Sequence, residues 1–183
     1  MNQKEKWDRL AYSYFNNCNQ ILDVGCGVGK FISLDPERII GIDSNTTSII
    51  FCKHKKYNVI QANIKTWTPS KSFNGIHCSH FLEHFNPSDV YTVIDRIDGL
   101  LSTYGVLVIR SPLLWSHFYD DLTHVKPYNP EAIMHYLCGG TQHSLPAISK
   151  DYRLIHLRYR WRKIKRIPFP QRTGYMLVLR KKE

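Results

Sequence analysis

Ile21-Leu22-Asp23-Val24-Gly25-Cys26-Gly27-Val28-Gly29 changes character halfway, from four residues of buried-strand composition to three glycines at alternate positions. A brief helical segment follows around Lys30–Leu34 and is stopped by Asp35-Pro36, so the stretch reads as a strand, a turn and a short helix. Glycine lets the backbone turn sharply there and removes the Cβ that would hold a ligand at a distance. The spacing is GxGxG and not the GxGxxG of dinucleotide sites. On its own the segment is also compatible with a tight turn that binds nothing.

Downstream, Arg38–Ile42 reads as a second strand, and Gly41-Ile42-Asp43 leaves a carboxylate at its tip. A carboxylate in that place can accept both hydroxyls of a ribose, as in mononucleotide-binding halves. Ser44 or Asn45 caps a helix running to about Lys55, with basic residues in its last turn where the helix dipole favours them. Tyr57–Gln61 and Phe73–Cys78 are the next strands. Asn86-Pro87 opens the most clearly periodic helix, with Val90, Val93, Ile94, Ile97 and Leu101 on one stripe. Gly105 breaks into a fifth strand, Val106–Arg110. Ser111–Pro130 is a long irregular connection, the kind of segment that carries function. Glu131–Leu137 is helical, and Tyr152–Arg160 and Gly174–Arg180 form a closing strand pair joined through Arg162–Arg172. Upstream, Trp7, Leu10, Ala11, Tyr14 and Phe15 fall at helical spacing and predict an amphipathic helix within residues 1–17. Strands alternating with helices predict a mostly parallel sheet covered on both faces.

The 183 residues, 43% of them hydrophobic, are enough for one domain spanning 1–183 with its own core. The longest apolar runs, such as Val106–Ile109, fall far short of the ~20 residues that cross a bilayer, so no transmembrane segment is expected. The polar start, Met1–Leu10, lacks the apolar core of a signal peptide. Cys18, Cys26, Cys52, Cys78 and Cys138 are scattered without a CxxC pair, which argues against a disulfide framework or zinc ribbon. Reduced thiols fit a cytoplasmic location. The net charge of +10 is lopsided: Tyr152–Lys182 holds eleven Lys and Arg and no acid, and the remainder is near neutral. Such a surplus suits an acidic or phosphate-bearing partner, and equally a solvated strand pair.

Taken in order, Ile21–Gly29, Gly41-Ile42-Asp43, Gln61-Ala62-Asn63-Ile64, Phe73–Cys78 with His80–Phe85, and Gly105–Ile109 resemble the class I S-adenosylmethionine (SAM)-dependent methyltransferases of the small, single-domain, type 11-like kind. The ordered set covers Ile21–Ser111, about half the chain, and is more specific than any of its pieces. The resemblance implies an α/β, Rossmann-like doubly wound fold with a seven-stranded, mostly parallel sheet and an antiparallel last strand. It implies SAM as cofactor, lying across the carboxyl ends of strands one to four. It further implies that Gly25, Gly27 and Gly29 face the methionine and ribose, that Asp23 anchors the loop and the amino group, and that Asp43 holds the ribose. Asn63, where the family more often has Asp, and the Ile64 backbone N–H would address adenine; an amide carbonyl can accept from its amino group. Ser79, His80 and Phe81 would line the pocket beside the sulfonium.

His80-Phe81-Leu82-Glu83-His84 also matches the HxxEH pattern of inverted zinc proteases, but here it directly follows a strand within a SAM scaffold. It resembles the ExxEH segment of small-RNA 2′-O-methyltransferases and quinone O-methyltransferases, with His80 in place of the first Glu. His80, Glu83 and His84, joined by His117 or His124, could ligate a divalent ion, or could only hydrogen-bond locally. With the first Glu missing, no metal is expected. Thr123-His124-Val125-Lys126-Pro127-Tyr128 resembles a loop of family members acting on sugars or polysaccharide ends. It makes His124 or Asp121 a candidate general base for a hydroxyl acceptor, the alternative being a turn fixed by Thr123 and Pro127.

Three functions are compatible with these residues. The first is a SAM-dependent methyltransferase for a small molecule or glycan. The second is an RNA (2′-O-type) methyltransferase using the basic strip Arg153–Arg172, on which Tyr159 and Trp161 could stack bases. The third is a non-catalytic SAM-binding protein. Strict alternation would put Arg158, Arg160 and Arg162 on one face and Tyr159 and Trp161 on an apolar other. The strip, with Lys163, Lys165 and Arg166, is expected to meet the acceptor or an acidic partner and not SAM.

Overall fold

A computed structural model describes residues 2–140, 145–163 and 168–183. Its strands are β1 (Ile21–Val24), β2 (Ile39–Asp43), β3 (Val59–Gln61), β4 (Phe73–Ser79), β5 (Leu101–Pro112), β6 (Tyr152–Arg162) and β7 (Gln171–Lys181). They form a single sheet in the order β3-β2-β1-β4-β5-β7-β6. β1 to β5 pair in parallel, and β7 inserts between β5 and β6 antiparallel to both. This is the Rossmann-like α/β sheet expected from the sequence. The strand order reverses between β1 and β4, which opens a crevice at their carboxyl ends.

Successive side chains on a strand point to opposite faces, and both faces here are buried. Leu22, Val24, Ile76, Leu107, Ile109 and Leu177 join one core, and Ile21, Ile39, Val106, Val108, Met176 and Val178 join the other. The first core is covered by α3 (Pro87–Leu100), whose Val90, Val93, Ile94 and Ile97 are buried, and by α4 (Pro130–Leu137) through Ile133 and Leu137. The second is covered by α1 (Gln3–Ser13) and the turn after it, through Ala11 and Phe15. Asn2 and Glu5 close a capping box at the start of α1. α2 (Thr46–His54) starts on the side chain of Asn45, which accepts from Ser48 N at 3.1 Å.

Asn86 caps α3 by accepting the Asp89 N–H at 3.2 Å, with Pro87 in the first turn where its missing N–H costs nothing. Asn86→Ala is expected to destabilise the fold by about 1 kcal/mol, the usual worth of such a cap. Urea unfolding followed by circular dichroism checks this, and an unchanged midpoint would contradict it.

Three details depart from the sequence reading. β5 begins at Leu101, because Ser102–Gly105 bulges out between the pairs Phe73↔Leu101 and Gly75↔Val106, with Tyr104 at φ 60°. β3 is confined to Val59–Gln61, while Tyr57 packs against Gly29. The β6–β7 ladder shifts register twice, with Ile155 extra on β6 at Leu154/His156 and Thr173 extra on β7 at Arg160/Trp161. Arg158 and Arg160 pair with Met176 and Gly174 with no shift between them; Arg160, opposite a glycine, is half-buried and donates to Thr173 Oγ1 at 3.2 Å, while Arg158 and Arg162 stay exposed. The opposite face is not apolar: the Arg172 guanidinium lies 4.5 Å from the Tyr159 ring centre and 5.1 Å from that of Trp161. Lys165 and Arg166 of the basic strip lie outside the described residues. All five cysteines are free. No described helix is long and apolar enough to cross a membrane.

Candidate functional site

The loop after β1 is held by the backbone of β2. Ile42 O accepts the N–H groups of both Gly25 (2.9 Å) and Cys26 (3.0 Å), and Cys26 O accepts that of Gly29 (3.0 Å). Gly25, Gly27 and Gly29 have φ of 68°, 51° and 73°, the left-handed region that residues with a Cβ rarely enter. Their missing Cβ atoms serve different ends. A Cβ on Gly25 would come within 2.3 Å of the Phe81 ring, and one on Gly29 within 2.7 Å of the Tyr57 ring. A Cβ on Gly27 would meet nothing within 4 Å. Gly25 and Gly29 thus admit aromatic side chains of the protein, and Gly27 alone leaves open space above the loop.

Asp43, at the tip of β2, closes the loop from the side. Its Oδ2 accepts the Gly27 N–H and its Oδ1 the Asn45 N–H, each at 2.8 Å. A carboxylate has about four lone-pair sites, so it can still accept from a ligand. Gly25, Asp43, Asn63, Ile64, Phe81 and Phe85 line one cleft. Asn63 Oδ1 accepts the Lys65 N–H at 3.0 Å, which fixes the turn after β3. The cleft offers a carboxylate for a diol, an amide for a base edge and two aromatic rings for flat or cationic surfaces. Those are the parts of an adenosyl sulfonium, so the residues present fit SAM.

Asp23 does not line the cleft. It is 3% exposed, and its Oδ1 lies 2.7 Å from Nδ1 of buried His77, its register partner on β4. The His77 ring stacks on Phe31, centroids 3.7 Å apart, and its Nε2 has no hydrogen-bond partner among the described residues. This pair lies inside the sheet, two residues before the first glycine of the loop. The sequence reading missed His77, although a histidine amid the buried run Gly75–Cys78 was a signal.

Beyond β4, whose last residue Ser79 is half-buried, His80 takes a left-handed φ of 52°. Its Nδ1 is 3.3 Å from Oε1 of fully buried Glu83, without hydrogen-bond geometry, and Ser111 Oγ donates to Oε2 at 3.2 Å. Glu83, His84 and His124 bring potential ligand atoms within 4.8 Å of one another. His84 Nδ1 lies 3.1 Å from Thr123 O and His124 Nδ1 lies 2.7 Å from Phe118 O, contacts that leave each Nε2 as the acceptor. The fold therefore joins His124, and not His117, to this segment; His117 pairs instead with Asp120 at 2.7 Å. Asp121 is exposed and 3.8 Å from His124 Nε2. Hydrogen bonds from the Thr123 hydroxyl and then its N–H hold the Asp121 carboxyl below the usual carboxylate range.

A family profile for methyltransferase domains matches residues 4–164. Among curated proteins, trans-aconitate 2-methyltransferase of Escherichia coli O1:K1 / APEC is 29% identical over 113 residues, covering 58% of this chain and 44% of that one. The chain spans less than half the length of these curated relatives. Among solved structures, a SAM-dependent methyltransferase from Archaeoglobus fulgidus superposes with TM-score 0.74 at 24% identity, over 98% of this chain and 95% of that one. The N-methyltransferase NodS from Bradyrhizobium japonicum WM9, in complex with S-adenosylhomocysteine, gives 0.73 at 16%, over 98% and 87%. At these identities the structures attest the fold.

Proposed function

The chain belongs to the methyltransferase domain family, and on that premise we propose that it transfers the methyl group of SAM to a small molecule or glycan. The observation that carries this reading is Asp43, clamped on the Gly27 N–H beside the open space above Gly27. SAM supplies an electrophilic methyl group on a cationic sulfur. Asp43 would take the ribose, Asn63 and the Ile64 N–H the adenine, and Phe81 and Phe85 would shield the cleft from water. The rest of the catalysis is placing an acceptor in line with the bond to be broken. A hydroxyl acceptor needs a base near neutral pH. His124, with Nε2 left as the acceptor, suits that role better than Asp121, whose lowered proton affinity makes it a weak base.

The similarity to enzymes named for trans-aconitate supports a small acceptor over RNA. A screen with labelled SAM over small acids, sugars and RNA tests this. Label is expected in the small-molecule or sugar fraction, and label in RNA alone would contradict the reading. Ser111 donates to Glu83 Oε2 while Glu83 Oε1 has no hydrogen-bond partner among the described residues, and His80 stands where the ExxEH segment has its first Glu; methyl transfer is expected to survive dialysis against EDTA unchanged. Loss of activity restored by Mg²⁺, Mn²⁺ or Co²⁺ would overturn that expectation and assign Glu83, His84 and His124 as ligands.

A further inference from the structure

His80 separates two hollows. Phe81 lines the glycine cleft, and His80 itself lines a second recess with Lys4 and Trp7 of α1, Arg110 of β5, and Arg160 and Arg162 of β6. These come from three distant parts of the chain. They meet because the carboxyl ends of β5 and β6 flank the start of β7 on one rim of the sheet, where α1 begins.

The recess is electrically unbalanced. Four cations line it, and the carboxylate paired with one of them, Asp8 on Arg110, sits on the helix side. Arg110 is 4% exposed, and its guanidinium also lies 5.9 Å from the Trp7 ring centre. Arg160 is half-buried, and among the described residues its guanidinium donates only to Thr173, although it carries five N–H donors. Burial, and then the charges of Arg162 and Arg110, lower its proton affinity. A guanidinium stays charged at any working pH, so such crowding costs free energy that a counter-anion would relieve. Planar guanidinium groups suit carboxylate and phosphate oxygens by geometry as well as charge.

We propose that this recess binds an oxyanion of the methyl acceptor, so that the acceptor is a small carboxylate or phosphate ester held beside His80. The inference rests on the reading of the glycine cleft as the SAM site, since only then does the recess lie next to the methyl group. It also gives the surplus of positive charge in Tyr152–Lys182 a local task, in Arg160 and Arg162, that needs no nucleic acid.

The test uses the full chain and two probes, citrate and inorganic phosphate, titrated calorimetrically in the presence of saturating S-adenosylhomocysteine. The wild-type protein is expected to bind at least one of them, with affinity that falls as NaCl is raised. Arg160→Gln is expected to weaken that binding roughly tenfold or more, the range for a lost hydrogen bond to a charged group. S-adenosylhomocysteine affinity should not change. Tighter citrate binding points to a carboxylate acceptor, and tighter phosphate binding to a phosphate ester. If Arg160→Gln fails to fold, Arg162→Gln, at an exposed position, replaces it with the same expectation. Equal probe affinity in the folded variant, or no probe binding by a wild-type protein that binds S-adenosylhomocysteine, would overturn the recess. Failure of the wild type to bind S-adenosylhomocysteine would strike the underlying cofactor reading instead.

Discussion

Replacing Asp43 by Ala is expected to weaken SAM binding by about a hundredfold or more. The Asp43 carboxylate holds the loop through Gly27 N–H and its own turn through Asn45 N–H, both at 2.8 Å. Hydrogen bonds to a charged group are worth about 1.5–3 kcal/mol each, and two lost at the lower figure already correspond to about two orders of magnitude in affinity. The variant loses the loop contact and the ribose contact together. Asp43 lies half-buried at the rim of the sheet, so the fold should survive. Calorimetry with SAM and S-adenosylhomocysteine measures the loss, and circular dichroism confirms the fold. Asp43→Asn, which keeps the shape without the charge, should fall between. Wild-type affinity in Asp43→Ala would remove the central contact from the account.

Gly27→Val is expected to abolish detectable SAM binding while leaving a folded protein. Two effects act together. The added branch fills the open space above the loop, and a β-branched residue at φ 51° is a conformational outlier costing roughly 1–3 kcal/mol. Gly27 is the informative position, because its neighbours would confound the result. Substitution at Gly25 drives a side chain into Phe81, and at Gly29 into Tyr57, so either disturbs packing directly. A thermal melt of Gly27→Val should show a modest drop, with the cofactor lost. Equal SAM affinity in this variant would mean that the loop is only a turn.

Much of this was legible in the sequence because it is local. Alternate glycines after Ile21–Val24, a carboxylate after Gly41-Ile42, and Asn63 after a third strand are read along the chain, and they converge because parallel strands put their carboxyl ends on one edge. The rest depends on which strands pair and in what register. Asp23 meets His77 only because β4 sits beside β1 with those residues opposite. The need for Gly25 is set largely by Phe81, from the far side of β4. Arg110 and Arg160 share a recess only because β7 inserts between their strands, and Arg160 is half-buried where it stands opposite Gly174, a pairing that strand alternation alone does not foresee. His124 reaches His84 through a long connection with little regular structure, where hydrophobic period gives no guide.

The central claim, that this chain holds SAM on Gly25–Gly29 and Asp43, is tested most directly by titrating SAM and S-adenosylhomocysteine into the wild-type protein in a calorimeter. Saturable binding of both at one site per chain is the result expected. No measurable heat or protection from thermal unfolding at millimolar ligand would contradict it.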